Sequence, residues 1–404
     1  MKIAILTSSY PRFPGDGTAP FIQSIAENLV KLGHEVEVVA PFDPEVNEID
    51  STIVKVHRFR YIWSDRLYIM GHAKSLKADV RLRPLAYLLL PFFLVGAFIK
   101  LMQVTREQNS QIIHVNWVLP NGPVAVLVSA IRKIPFVVSL HGSDMYVAQK
   151  NPIFRAAARW VFRQADAVTS CSKQLLEAAQ NLDAPEVSHL IPWGVDPKKF
   201  YPKPKNPNSA HSWGFRTEDT HIIALGRLVH KKGFDVLILA FADLAEKYPH
   251  VRLVIGGEGS LRTSLEALVQ KYNIQNRVIF PGRIPWDQVA DFFALGDIFV
   301  LPSIRDAHGN VDGLPTVLLE ALACGIPVVA SDIGGVQMVI EDGENGLLIP
   351  PEDLQTLRET LTRLLGNAEE RTRLGQAAHK SVVNDHVWDA VARKFIGIFN
   401  DAIQ

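Results

Sequence analysis

Short apolar runs alternate with segments that repeat apolar residues every three or four positions along most of this chain. The runs have the length of buried strands, and the segments have the period of amphipathic helices. In the first half this pattern predicts strands at 2–8, 35–40, 112–116, 136–140 and 167–170, and helices such as 19–32, 85–102, 121–132 and 173–181. Such alternation is typical of a parallel sheet covered by helices.

The second half repeats this organisation. It predicts strands near 221–225, 251–255, 277–280, 297–301 and 327–330, followed by helices at about 353–365, 368–380 and 386–403. Between the halves, residues 192–207 hold five prolines and few apolar residues, which is typical of a connection between domains. We therefore predict an α/β protein with two Rossmann-like, doubly wound domains, at 1–203 and 204–385.

Composition fits two folded domains. Of 404 residues, 48% are hydrophobic, which is enough for two cores. The two cysteines, Cys171 and Cys324, fall in different predicted domains, so we expect no disulfide framework and a reducing compartment. The first apolar run, KIAILTSS, is too short for the core of a secretory signal and indicates a cytoplasmic protein.

A net charge of zero conceals two oppositely charged halves. Residues 1–205 carry 24 Lys and Arg against 17 Asp and Glu, whereas residues 206–404 carry 18 against 25. Much of the positive excess comes from eight residues: Lys55, Arg58, Arg60, Arg66, Lys74, Lys77, Arg81 and Arg83. Nucleic acid is one possible target of such a patch. We expect no nucleic-acid partner, because no nucleic-acid-binding signature is present and an apolar run follows directly, which favours an anionic membrane or acceptor.

That apolar run is PLAYLLLPFFLVGAFI at residues 84–99. It is shorter than the ~20 residues that span a bilayer. Two interpretations stay open, a helix lying on a membrane surface and a helix buried against the first sheet. The first interpretation predicts peripheral membrane association through residues 55–99.

Two carboxylates eight residues apart, Asp312 and Glu320, flank the start of a predicted helix. Eight helical residues rise about 12 Å, which is close to the reach from ribose to hexose in a nucleotide diphosphate sugar. Each carboxylate could then accept hydrogen bonds from one of the two sugars. The positive end of the helix, which suits an anion, is formed by Gly313, Leu314, Pro315 and Thr316. An ordinary βαβ helix with a solvated glutamate is the alternative.

Upstream, Arg227 and Lys232 follow the predicted strand at 221–225. Ligands of open α/β sheets bind at this edge, where two cations can meet the charge of a diphosphate without a metal. Glycine-rich turns after two other strands add further candidates: Gly15, Gly17, Thr18, Gly257 and Glu258. Solvated cations and plain turns are the alternatives. No Asp-x-Asp, HExxH or CxxC spacing occurs, so we expect no metal.

Taken together and in order, these segments resemble one family. The stretches GRL-x-x-KKG, GGEGSLR, VIFPGRI, GDIFVLPS, DGLP-x4-E and SDIGG, preceded by HVNW, SLHGSD, CSKQLLEA and IPWGVDPKKF, resemble retaining glycosyltransferases of the GT-B fold, family 4. The resemblance covers nearly the whole chain. It implies two domains facing a cleft, with the segment 386–404 crossing back to the N-terminal domain. One departure is Asp312, where the family usually has glutamate.

The resemblance implies transfer of a hexose from a nucleotide diphosphate sugar, with UDP- and GDP-sugars expected first, to a glycan or lipid-linked acceptor. Glycan or glycolipid biosynthesis, at the inner face of the cell membrane, follows as an expectation. A nucleotide-sugar 2-epimerase-type isomerase, or a nucleotide-sugar-binding protein with a decayed site, remains an alternative.

The resemblance also implies roles for particular residues. Arg227 and Lys232 would bind the diphosphate, and Glu320 would bind the ribose. Asp312, together with the backbone of 313–316, would bind the donor sugar. His141, in SLHGSD, would contact that sugar near the reacting carbon. The nucleotide base would rest near Arg283 and Ile284.

Overall fold

In the computed structural model the chain divides into two units. The structure describes residues 1–47, 53–72, 74, 76–77, 81–216, 218–307, 309 and 311–404. The first unit is Met1–Trp193 with Trp388–Gln404, and the second is Gly194–Val387. The sequence placed this boundary at 203/204. It lies earlier because the proline-rich segment packs on the second unit, where Phe200 is buried and the Lys203 ammonium lies 3.0 Å from the Asp291 carboxylate.

The first unit is built on a parallel sheet. Its elements before the boundary are β1 (Lys2–Leu6), α1 (Pro20–Lys31), β2 (Glu35–Pro41), β3 (Lys55–Phe59), β4 (Leu76–Lys77), β5 (Arg81–Leu82), α2 (Pro84–Gln108), β6 (Ile112–Asn116), α3 (Val118–Arg132), β7 (Phe136–Leu140), α4 (Ser143–Lys150), α5 (Pro152–Phe162), β8 (Ala167–Ser170), α6 (Lys173–Gln180) and β9 (Ser188–Leu190). The described residues give the strand order β3-β2-β1-β6-β7-β8-β9, with β4 and β5 as a separate antiparallel pair.

Burial explains which strands the apolar pattern predicts. Strands β6, β7 and β8 are buried along their whole length, as expected for a parallel sheet with helices on both faces. The edge strand β3 is not predicted, because its sequence KVHRF is polar and only partly buried. Its His57 ring nitrogen lies 2.7 Å from the Glu37 carboxylate on β2.

Helix α2 is longer than its predicted extent of 85–102 and has two apolar faces. One face packs on the first sheet through residues such as Leu89, Phe93 and Leu101. The other face is exposed to solvent, and Leu88 and Ile99 are 67% and 60% accessible. By length and composition alone α2 could cross a membrane, although a core helix can meet the same criteria.

The second unit is also a parallel sheet with helices on both sides. Its elements are α7 (Pro207–Ser212), β10 (Thr220–Leu225), α8 (Phe234–Lys247), β11 (Val251–Gly256), α9 (Arg262–Lys271), β12 (Val278–Gly282), α10 (Val289–Leu295), β13 (Ile298–Leu301), α11 (Thr316–Ala323), β14 (Val328–Ser331), β15 (Leu347–Ile349), α12 (Leu354–Gly366) and α13 (Ala368–Asp385). The strand order among the described residues is β12-β11-β10-β13-β14-β15. Two doubly wound parallel-sheet units confirm the predicted fold class.

The C-terminal helix α14 (Trp388–Ile403) returns to the first unit, where it packs against α1. Its Phe395 and Phe399 rings lie 4.9 Å and 5.3 Å from the His114 ring on β6. His114 is fully buried and its Nε2 lies 2.7 Å from the Ser139 hydroxyl. Burial lowers the pKa of His114 to about 3. His114 is therefore a neutral core residue.

Candidate functional site

Each sheet has one point where the order of its strands reverses direction. In the second unit this point lies between β10 and β13, and in the first unit between β1 and β6. Open α/β sheets bind ligands outside the carboxyl ends of the strands at such points. Arg227 and Lys232 follow β10, and Asp312 follows β13. The structure therefore brings these three predicted residues to the switch point of the second sheet.

A cluster of opposite charges lies at this switch point. The Asp312 carboxylate is 3.1 Å from the Lys231 ammonium and 2.7 Å from that of Lys232. Burial raises the pKa of Asp312, but the charges of Lys232 and Lys231 outweigh it and hold that pKa well below its usual range. Burial lowers the pKa of Lys232, and Asp312 opposes this shift. Asp312 is thus ionised and holds two ammonium groups together. Sequence reasoning missed Lys231, although the KK pair in the motif signals it.

Close backbone contacts hold the loops of this cluster. Gly233 has φ of +62°, and a Cβ atom there would overlap the carbonyl oxygen of Pro302. At Gly334, with φ of +69°, a Cβ atom would overlap the carbonyl oxygen of Asp312. Only glycine fits both positions. The loops that carry the two lysines and Asp312 are therefore fixed against their neighbours.

The glycine-rich turn after β11 packs beside the loop that carries Arg227. A Cβ atom on Gly257 would overlap the carbonyl oxygen of Gly226, and the Leu228 N–H donates to the Glu258 carbonyl at 2.9 Å. The side chains of Arg227 and Glu258 are exposed. The turn therefore shapes the loop at the end of β10.

Glu320 lies on α11, which begins at Thr316 with Pro315 as its N-cap and not as its first helical residue. The residue as a whole is half-buried, with its carboxyl group on the buried side. Burial raises its pKa to about 7, and the positive charge of Lys199 opposes this shift. Burial also lowers the pKa of Lys199 to about 8, while the charge of Glu320 opposes it. Lys199, which sequence reasoning missed, thus faces the predicted ribose-binding carboxylate.

The predicted base-binding residues lie on one short segment after β12. Arg283 is exposed, whereas Ile284 is buried and 7% accessible. Between them they offer an exposed cation and a buried apolar side chain.

In the first unit, His141 follows β7 and lies in an aromatic cage. Its ring stacks on Trp193 with the centroids 5.1 Å apart, and the Trp117 ring meets its edge at 4.7 Å. Its Nε2 lies 2.9 Å from the side-chain oxygen of Asn116. Burial holds the pKa of His141 well below its ordinary value, so the ring is neutral at pH 7. Because Nε2 donates to Asn116, Nδ1 is left as an acceptor.

Asp144 orders the loop that carries His141. Its carboxylate accepts hydrogen bonds from the backbone N–H groups of Gly142 at 3.0 Å and Val118 at 2.9 Å, with a longer one from His141 at 3.4 Å. The loops after β6 and β7 are therefore tied together. Asn116 precedes Trp117 in the motif HVNW, and the sequence alone did not predict a role for it.

The turn at Gly15, Gly17 and Thr18 is organised around Asp16. The Asp16 carboxylate accepts from the Thr18 N–H at 3.1 Å and from the Arg12 Nε at 2.7 Å. Burial raises the pKa of Asp16, but hydrogen bonds from the side chains of Arg12 and Thr18 outweigh it and lower that pKa to about 2. The Thr18 N–H, predicted as an anion donor, is therefore already occupied by Asp16.

Among the residues that the structure places, no group of three or more His, Cys, Asp or Glu side chains has a geometry that could hold a metal ion. The Asp312 carboxylate of the candidate site is paired with two lysines.

Family models match both units. The model of glycosyl transferases group 1 matches residues 206–381, and that of the glycosyl transferase 4-like domain matches residues 16–194. A GDP-mannose-dependent alpha-(1-6)-phosphatidylinositol monomannoside mannosyltransferase of Mycolicibacterium smegmatis is 30% identical over 66% of this chain and 69% of its own. The N-acetyl-alpha-D-glucosaminyl L-malate synthase of Bacillus anthracis is 24% identical over 100% of this chain and 98% of its own.

A solved structure shows the same fold. The HepE protein of Anabaena, in complex with UDP, superposes with a TM-score of 0.77 at 19% identity, over 99% of this chain and 100% of its own.

Proposed function

Because the chain belongs to the glycosyl transferases group 1 and is a glycosyltransferase with the GT-B fold, we propose that it moves a hexose from a nucleotide diphosphate sugar to a glycan or lipid-linked acceptor with retention of configuration. The observation that carries the proposal is the cluster of Lys231, Lys232 and Asp312 at the switch point of the second sheet. Two ammonium groups there can neutralise a diphosphate, and a carboxylate beside them can accept hydrogen bonds from sugar hydroxyls.

The proposed donor lies along the second unit. Lys232, with Arg227 at the same strand end, binds the diphosphate, and the N-terminus of α11 adds backbone N–H groups. Glu320 accepts hydrogen bonds from the ribose, and Asp312 from the hexose. UDP- and GDP-sugars are the proposed donors. The mycobacterial relative is named for its dependence on GDP-mannose, and the Anabaena structure holds UDP.

In the proposed reaction the acceptor hydroxyl attacks the anomeric carbon from the face that the diphosphate leaves. The bond to the leaving phosphate oxygen breaks, and that oxygen takes the hydroxyl proton, so no covalent nucleophile is assigned. Lys232 stabilises the growing negative charge of the diphosphate. His141, held neutral by burial, contacts the hexose, and its Nδ1 can accept a hydroxyl hydrogen bond.

We propose that the reaction needs no metal, because Arg227 and the two lysines supply the cationic charge. Transfer should keep its full rate in EDTA. Loss of activity that Mg²⁺ or Mn²⁺ restores would contradict this part of the proposal.

We also propose that the protein is cytoplasmic and binds the inner face of the cell membrane through residues 55–99. The exposed apolar face of α2 supports this, since its opposite face is packed on the sheet and the helix can lie along a surface. Arg60, Arg66 and Arg83 are exposed, whereas Lys74 is paired with Asp43. The side chains of Lys77 and Arg81 lie outside the described part.

Sedimentation with liposomes tests the membrane contact. Anionic vesicles at low salt should bind the protein, and high salt should weaken this binding. Phe92→Ser on the exposed face of α2 should reduce it, whereas Tyr272→Ser, an exposed aromatic in the second unit, should not. Binding that ignores lipid charge and salt would contradict the electrostatic part.

A thermal-shift panel of UDP, GDP and ADP with their sugars tests the donor. A ligand at 100 times its Kd stabilises the folded state by about 2.7 kcal/mol. Product analysis with donor alone then separates the possible activities. A C2 epimer would indicate an isomerase, and nucleotide binding without transfer to any acceptor would indicate a binding protein.

A further inference from the structure

A mostly apolar cavity of about 400 Å³ lies within the first unit. Helices α2, α3 and α5 provide most of its wall, which includes Leu90, Leu94, Leu119, Phe154, Ala157 and Trp160. The volume falls in the range of ligand pockets, which are typically apolar with a few polar groups at fixed places. The roles proposed above for donor binding use none of these residues.

The cavity lies at the switch point of the first sheet. Ser8 and Ser9 follow β1 and line it, and so does Trp117, which follows β6. Trp117 also packs against His141, with the two rings 4.7 Å apart. One end of the cavity is therefore next to the residue assigned to the donor sugar.

His72 marks a polar end of the cavity. Its side chain lines the cavity and is only 6% accessible. The Pro41 carbonyl lies near the ring, but neither ring nitrogen makes a hydrogen bond of normal geometry within the described part of the chain. The His72 N–H donates to the Ser8 carbonyl at 3.1 Å, and a Cβ on Gly71 would lie 2.8 Å from that oxygen. The backbone thus holds the ring beside Ser8. A buried imidazole without partners is costly unless a ligand supplies them.

The other side of the cavity reaches the exposed apolar surface. Tyr87 of α2 and Ile153 of α5 line the cavity and are also 50% and 76% accessible. Tyr87 stacks on Phe154, with ring planes within 5° and centroids 5.9 Å apart. The exposed apolar face of α2 is therefore continuous with the cavity wall. A long apolar ligand could extend from that face to the polar end.

We propose that this cavity binds the hydrocarbon chain of a lipid-linked acceptor, with the first polar group of the acceptor at His72 and Ser8. The inference rests on the proposed transfer to such an acceptor and names the part of the chain that recognises it. A soluble sugar would leave the apolar wall without matching contacts, whereas a hydrocarbon chain matches both the wall and the exposed face that leads to it.

The proposal is tested by measuring the binding of n-alkyl phosphates to the full chain by calorimetry, at concentrations below those at which they form micelles. Inorganic phosphate is the reference. Each added methylene should tighten binding about three- to fourfold, so octyl phosphate should bind on the order of 100-fold more tightly than butyl phosphate. Ala157→Phe fills the cavity and should abolish this chain-length dependence. Ala156→Phe, one position along α5 and exposed, should preserve it.

Leu90→Trp fills the same cavity from α2. It controls for a local packing defect that Ala157→Phe could cause in α5. UDP binding in all variants reports that the second unit is intact. Affinity that does not depend on chain length, or that responds equally to Ala157→Phe and Ala156→Phe, overturns the proposal. Chain-dependent binding in a protein that transfers no sugar would refute the proposed function alone. Transfer to soluble acceptors without such binding would refute the cavity assignment alone.

Discussion

Replacing Glu320 by glutamine should stabilise the protein and weaken nucleotide binding at the same time. Burial raises the pKa of Glu320 to about 7, against 4.5 for an ordinary glutamate, and Lys199 only partly opposes this. A raised carboxyl pKa means that the folded state holds the proton more tightly than the unfolded chain. Ionisation of Glu320 therefore costs stability, and the cost grows as the pH rises from 4.5 to 7 and is constant above.

This difference in pKa corresponds to about 3 kcal/mol of unfolding free energy at pH 8.5 and about 1 kcal/mol at pH 5.5. Glu320→Gln removes it. For a unit of this size, each kcal/mol shifts Tm by roughly 2–4 °C, so the variant should gain about 6–12 °C at pH 8.5 and about 2–4 °C at pH 5.5. Glu246→Gln, exposed on α8, is the matched control and should change neither value.

The same variant should bind UDP or GDP about 10- to 150-fold more weakly, because hydrogen bonds from ribose hydroxyls to a carboxylate are worth roughly 1.5–3 kcal/mol. Differential scanning fluorimetry at both pH values, followed by titration calorimetry with nucleotide, measures both effects. A variant that is less stable at pH 8.5, or a gain that is the same at both pH values, would refute the burial argument. Unchanged nucleotide affinity would refute the ribose assignment.

Three further predictions concern Lys232, Asp312 and Asn116. Lys232→Ala should lower the affinity for UDP or GDP about 10- to 150-fold in calorimetry and leave the binding of uridine or guanosine unchanged. Lys247→Ala, at the exposed end of α8, should alter neither affinity. Equal losses for nucleoside and nucleoside diphosphate would contradict the assignment of Lys232 to the diphosphate. Asp312→Ala removes the carboxylate of the ion pair but leaves both ammonium groups available to the diphosphate, so the variant should still bind free nucleotide and should lose discrimination among hexoses in a thermal-shift panel. Loss of nucleotide binding as well would contradict the separate roles of Asp312 and the lysines. Asn116→Ala frees the Nε2 of His141 and should lower kcat with little change in donor KM, which steady-state kinetics can show; a change in KM alone would count against the role of His141.

Much of the fold follows from the apolar pattern, because the central strands of both sheets are buried on both faces. Strands at 112–116, 136–140 and 167–170 begin and end where predicted. The pattern fails at the edges. Strand β3 is half-exposed and basic, so its residues looked like a surface patch. The proline-rich segment at 192–207 looked like a free linker, yet the Lys205 ammonium lies 3.0 Å from Asp297 on the second unit.

The candidate site shows the same division between local and long-range information. Motif spacing placed Lys232 after a strand and Asp312 just before a helix, where the structure has them. It could not show that they form an ion pair, because that contact joins loops 80 residues apart in the chain. Nor could it show the partners Asn116 and Lys199, whose importance depends on which side chains fold against them. The cavity in the first unit likewise depends on contacts among three helices, and no sequence motif indicates it.

The most direct test of the proposed function is transfer from UDP-glucose and GDP-mannose labelled with ¹³C at the anomeric carbon, in EDTA, to octyl α-glucoside and octyl α-mannoside. The one-bond coupling between C1 and H1 of the product reports its configuration. The proposed function predicts a new disaccharide glycoside with the α configuration of the donor. A β product, a C2 epimer formed from donor alone, or donor binding without transfer to either acceptor would contradict it.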